Sequence, residues 1–145
     1  MKKLSAAILF VFVLLTAEVT GTGVVEVTVK VEGFKSNKGY CRLLVYENEK
    51  GFPEDPDTSI LISSLEIKDK RTEFSFMIPP GTYAISILHD ENSNEKLDKT
   101  WYGKPKEGFG ISNNPKIWFG PPKFEEAAVK IDAENIDFQI KLIYL

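Results

Sequence analysis

Phe74-Ser75-Phe76-Met77-Ile78-Pro79-Pro80-Gly81-Thr82-Tyr83-Ala84-Ile85-Ser86-Ile87 decides the fold class. Phe74, Phe76 and Ile78 alternate with Glu73, Ser75 and Met77. Tyr83, Ile85 and Ile87 alternate with Ala84, Ser86 and Leu88. A period of two marks a strand with one buried face. Between the two runs, Pro79-Pro80-Gly81 is a turn: proline rings stiffen the corner and Gly81 supplies permissive backbone. The stretch therefore reads as a β-hairpin.

The same period recurs on both sides. Val25, Val27, Val29 and Val31 alternate with Glu26, Thr28 and Lys30. After a polar turn from Gly33 to Gly39 comes Tyr40 to Tyr46, with Cys41, Leu43 and Val45 on one face and Tyr40, Leu44 and Tyr46 on the other. Cys41 is thus a small core hydrophobe. Gly51-Phe52-Pro53 through Asp57 is a breaker-rich loop. Ile60 to Ile67 makes a weaker strand, Val129 and Ile131 a short one, and Ile136 to Tyr144 a long one. Phe124 to Ala128 has room for one helical turn. About seven strands and no long helix predict an all-β, two-sheet β-sandwich with one long ordered loop. The Phe74–Tyr83 segment resembles the hairpin of transthyretin-like and carboxypeptidase-regulatory-like sandwiches. That resemblance implies a transthyretin-like or immunoglobulin-like sandwich and carries no function.

Composition removes much familiar chemistry. The chain has 145 residues, a formal net charge of -3, one cysteine and one histidine. A single cysteine excludes an intrachain disulfide and a zinc site of several thiolates. One histidine excludes polyhistidine sites. The acidic balance argues against a nucleic-acid partner. Lys2 and Lys3 precede an apolar run from Leu4 to Leu15, then Thr16 and Ala17. This is the three-part pattern of a secretory signal peptide over residues 1–17, with cleavage as late as residue 21 as an alternative. The run is short of the roughly 20 residues a membrane span needs. The expectation is one sandwich domain over 22–145, periplasmic or secreted, with no membrane span after cleavage.

Residues 89–123 show no strand pattern, and a connection that long in a compact domain is functional or disordered. Its content argues for order: Trp101, Tyr102, Phe109, Trp118 and Phe119, with Gly103, Gly108, Gly110 and Gly120, and Pro105, Pro115, Pro121 and Pro122. Aromatic and amide side chains suit ligand recognition, so Trp101, Tyr102, Phe109, Asn113, Asn114 and Trp118 are candidate binding residues. The bland alternative is a satellite core under a long loop.

The loop opens His89-Asp90-Glu91-Asn92-Ser93-Asn94-Glu95-Lys96-Leu97-Asp98. Counting Asp90 as one, side-chain oxygens stand at positions one, three, five and nine. A wound loop brings alternate side chains to one centre, where calcium wants six to eight oxygens. Asp90, Asn92, Asn94 and Asp98, with the Lys96 carbonyl, are the candidate metal ligands. Glu95 replaces the usual glycine at position six, and Trp101 the bidentate glutamate at position twelve. Two carboxylates imply weak binding, about 0.1–1 mM. The alternative is an Asx-rich turn whose side chains bond nearby amides.

Three blocks carry a family resemblance: His89 to Asp98; Gly103-Lys104-Pro105-Lys106-Glu107-Gly108-Phe109-Gly110 with Ser112-Asn113-Asn114; and Gly120-Pro121-Pro122 with Phe124 and Ala127. In this order, with Pro79-Pro80-Gly81-Thr82-Tyr83 before them, they resemble the bacterial family of domain of unknown function 2141. The resemblance runs from Val25 to the C-terminus. It implies an exported bacterial β-sandwich and supplies no activity. The family usually has glycine where Glu95 stands.

Two functions remain open. One is an exported, non-enzymatic binding or envelope-accessory module that meets a glycan, peptide or envelope protein, with calcium stiffening the Asp90–Asp98 loop. The other is a small secreted hydrolase or isomerase using His89 with Asp90 or Glu107 as its acid–base pair. Ser112 has no G-x-S-x-G elbow, which weakens a serine hydrolase.

Overall fold

A computed structural model describes residues 23–132 and 136–145. The leader reading of residues 1–17 lies outside them. Two sheets face each other, and the fold is an all-β sandwich. In the first, β1 (Val25–Glu32) lies between β4 (Arg71–Ile78), antiparallel, and β8 (Ile136–Lys141), parallel. The second has the order β3 (Leu61–Glu66), β2 (Tyr40–Tyr46), β5 (Gly81–Asp90), β6 (Phe109–Ile111), and β7 (Val129–Ile131) pairs the first residues of β5. A single helical turn, α1 (Phe124–Ala127), precedes β7.

Alternation in the sequence becomes burial. Val25, Val27, Val29 and Val31 point into the sandwich, opposite Phe74 and Ile78 of β4 and beside Ile140 of β8. Cys41, Leu43, Val45, Tyr83, Ile85 and Ile87 meet them from the other sheet. Each fully buried aliphatic side chain contributes about 1.5–3 kcal/mol. Burial pushes the Cys41 thiol up to about 12, which keeps it protonated and inert.

The Phe74–Ile87 stretch is not a hairpin. Its two strands sit in different sheets: β4 pairs β1, and β5 pairs β2. Ile78 and Tyr83 both face the shared core, so Pro79-Pro80-Gly81 carries the chain across the sandwich. The prolines lack the N–H groups that a continued ladder needs. Tyr83 folds back and donates its hydroxyl to the Pro79 carbonyl at 3.0 Å. Its ring packs on Gly81, where a Cβ would stand 2.9 Å from the Tyr83 oxygen.

Among the described residues the strands number eight rather than about seven, because β6 lies inside the long connection. Three residues are too few for a period to show, and Gly110 interrupts its apolar pattern. Glycine is required there: a Cβ would meet Ile140 Cγ2 at 2.7 Å. β5 also runs on through His89 and Asp90 before the loop begins.

The loop folds over the outer face of the five-stranded sheet. Ala84, Ile111 and Ala127 form a second small core there, joined by Phe52, Phe109 and Phe124. β5 is therefore buried on both faces. Ser112 fastens the cover: its hydroxyl accepts from Ile85 N at 2.9 Å and donates to the Ala127 carbonyl.

Candidate ligand-binding site

His89 ends the inner face of β5 and is completely buried. Nε2 lies 2.8 Å from the Lys38 carbonyl, and Nδ1 lies 2.7 Å from Tyr144 Oη. A carbonyl only accepts, so Nε2 carries the proton. In the neutral ring Nδ1 then accepts the Tyr144 hydroxyl. The Phe34 ring meets the imidazole edge-on at 5.1 Å. Both ring nitrogens are thus engaged within the scaffold, and neither bonds to Asp90 or Glu107.

Asp90, the next residue, points the other way and winds the loop. Its oxygens accept from Asn94 N at 3.1 Å and Glu95 N at 2.9 Å. The Asn92 and Asn94 amides both donate to the Asp98 carboxylate. Of the five proposed ligands, Asn92, Asn94 and Asp98 meet, but through the amide nitrogens; the Asn92 and Asn94 oxygens accept from Asn94 N at 3.3 Å and Lys96 N at 3.0 Å, as in an Asx-rich turn. Glu95 takes a φ of +63° at position six, the left-handed turn for which glycine is suited. Among the described residues, no three His, Cys, Asp or Glu side chains gather as a metal site.

Glu107 reaches this loop from the next segment and is buried. Its carboxylate accepts from Glu91 N at 3.0 Å and from Asp98 N at 3.2 Å. Burial pushes its pKa above the ordinary 4.5, the two backbone bonds oppose that, and the charges of Asp98 and Asp90 add to the rise. Glu107 staples the two ends of the Asx loop together.

The open site lies on the other side of the sheet from His89. A cavity of about 510 Å³ opens between the outer face of β2, β5 and β6 and the covering loop. Its floor follows the strand register. Arg42 lies opposite Leu88, and Leu88 opposite Phe109; Leu44 lies opposite Ser86, and Ser86 opposite Ile111. Its rim carries Tyr102, Trp118 and Phe119, the last two 79% and 98% exposed. Lys99 bridges to Glu54 at 2.6 Å and ties the long loop to the Phe52–Pro56 loop beside the mouth.

Tyr102, Phe109 and Trp118 thus line the cavity as candidate binding residues. Trp101 stands outside it, fully exposed and edge-on to Tyr102. Asn113 and Asn114 also lie elsewhere. The Asn114 side chain donates to the Gln139 carbonyl and accepts from Lys141 N, both at 2.9 Å, which docks β8. Asn113 donates to Ala128 O at 2.9 Å. Both take positive φ, 66° and 45°, a conformation asparagine tolerates. Arg42 was missed by the sequence reading, although a charge inside an apolar strand was the available signal.

Fold and cavity together define a β-sandwich with one sheet face roofed by a loop and hollowed beneath it. Residues 29–139 match the family described as uncharacterized protein conserved in bacteria (DUF2141), and the chain belongs to that family. No curated protein and no solved structure matches the chain. Among the described residues, no helix is long and apolar enough to cross a membrane.

Proposed function

We propose that the protein is a non-enzymatic binding module that works outside the cytoplasm, in the periplasm or beyond, and that its ligand enters the cavity over β2, β5 and β6. The observation that carries this reading is the cavity itself. Its volume of about 510 Å³ falls among small-molecule pockets, and its floor is apolar with few polar groups. Exposed aromatic side chains at a cavity mouth cost solvation and offer contact area to a ligand. Export is supported by Lys2, Lys3 and the Leu4–Leu15 run. The Asp90–Asp98 loop is proposed as a weak calcium site, supported by the spacing of the oxygen-bearing side chains Asp90, Asn92, Asn94 and Asp98. The hydrolase or isomerase alternative rests on His89, and no further observation favours it.

Titration with the neutral fluorophore N-phenyl-1-naphthylamine tests the cavity. Saturable binding at one probe per chain is expected. Replacing the exposed rim residues Trp118 and Phe119 together with alanine should weaken it roughly thirtyfold, since each aromatic contact contributes about 1 kcal/mol. Binding that never saturates, or that ignores both rim substitutions, refutes the reading.

A further inference from the structure

Arg42 is the one charged side chain at the cavity floor that is buried, with 9% of its side chain exposed. Guanidinium does not give up its proton in a protein, so burial cannot neutralise it. A buried charge needs partners, and those of Arg42 are few. Among the described residues its ion pair is with Glu95, at 3.3 Å from Nη1, and Glu95 is itself 74% exposed on the loop. A guanidinium carries five donors in a planar fork that matches a carboxylate with two parallel bonds. One approach by a solvated carboxylate leaves that fork largely unused, and Arg42 faces the cavity.

The rest of the floor has the opposite character. Leu88 lies beside Arg42 in register, and Leu44 and Ile111 continue the surface along the sheet. All three are buried. Trp118 and Phe119 stand over the mouth. At the rim, Lys104 has no ion-pair partner among the described residues and adds positive potential.

We infer that the cavity takes an amphiphilic organic anion, with a carboxylate head on Arg42 and an apolar body along Leu44, Leu88 and Ile111. Glu95 occupies the position of the ligand's head when the site is empty of ligand. Its exposed side chain swings away into water at little cost when a second carboxylate arrives. This rests on the cavity being a binding site, and it names what the site selects.

Calorimetric titration with three probes that share a ten-carbon chain tests it: decanoate, 1-decanol and decyltrimethylammonium, each below micelle-forming concentration. Decanoate should bind roughly tenfold or more tighter than decanol, as expected for a charge-assisted bond in a partly buried site. The cation should bind weakest. Arg42→Met should bring decanoate to the level of decanol. Glu95→Gln, on the exposed loop, removes the competing carboxylate and should tighten decanoate severalfold without disturbing the fold. Decanol binding as tightly as decanoate, or Glu95→Gln leaving decanoate unchanged, overturns the inference and leaves the cavity as a neutral pocket. Failure of all three probes while N-phenyl-1-naphthylamine binds overturns the inference alone. Failure of all four overturns both readings.

Discussion

Replacing His89 with phenylalanine keeps a ring against Phe34 and removes both ring nitrogens. In the native fold Nε2 donates to the Lys38 carbonyl at 2.8 Å, and Nδ1 accepts from Tyr144 Oη at 2.7 Å. Each such bond contributes about 1 kcal/mol net, and a buried partner left without one adds about 1–3 kcal/mol. Tyr144 Oη keeps the Lys35 N–H at 3.2 Å, which softens its share. The Lys38 carbonyl belongs to an exposed residue, so water relieves part of its loss. The expected cost is about 2–3 kcal/mol, out of a domain stability of about 5–15 kcal/mol. Tyr144→Phe breaks one of the two bonds and should cost about 1–2 kcal/mol. The double variant should be less destabilised than the sum, by about 1 kcal/mol, because the shared bond is counted once. Urea unfolding followed by far-ultraviolet circular dichroism measures all three, with an unchanged slope. A His89→Phe protein within about 0.5 kcal/mol of the native one, or strict additivity in the double variant, refutes a scaffold role. A stable His89→Phe protein that has lost an activity would move the histidine from the scaffold to chemistry.

Glu107 gives a pH dependence with a definite sign. Its folded value lies above 4.5, so the folded state holds the proton more tightly, and ionisation costs stability as pH rises from about 4.5 through the folded value. The stability of the native chain relative to Glu107→Gln should fall across that window and level off above it; melts at successive pH values that show a flat or rising difference contradict the burial account. For calcium, a dissociation constant near 0.5 mM and 5 mM added calcium give a stabilisation of about 1.4 kcal/mol, or about 3–5 °C in Tm. Asp98→Ala should remove the rise, and a native melt unmoved by calcium ends the proposal.

Half-buried strands were legible because each alternates against water. Val25 to Val31 is the clear case: polar Glu26, Thr28 and Lys30 lie outside, and valines lie inside. β5 is harder, because the loop buries its outer residues too, so Ala84, Ser86 and Leu88 offer no solvent-facing row. The Phe74–Ile87 pattern announced two strands and a turn but not whether the turn stays within a sheet. Local alternation is the same for a hairpin and for a crossing between sheets, and only the pairing of β4 with β1 decides it. The site followed the same division. Tyr102, Phe109 and Trp118 were visible because aromatic residues in a polar loop need a reason. Arg42 was not, since an arginine on a strand reads as solvent-facing until residues sixty positions later fold over it. Asn113 and Asn114 looked like ligand amides and serve instead as left-handed corners with backbone clasps.

The parallel pairing of β1 with β8 has a kinetic consequence. Val27 meets Ile136 and Val31 meets Ile140, so the first strand waits for the last. Non-local pairing of this kind belongs to domains that fold in milliseconds to seconds rather than microseconds. During synthesis β4 can cover one edge of β1, and the other edge stays bare until residue 141 has emerged. A chain shortened before Ile136 would never cover it. Such a fragment would present β1 as a hydrogen-bonding template for its own copies, and its failure would be polymerisation as much as unfolding.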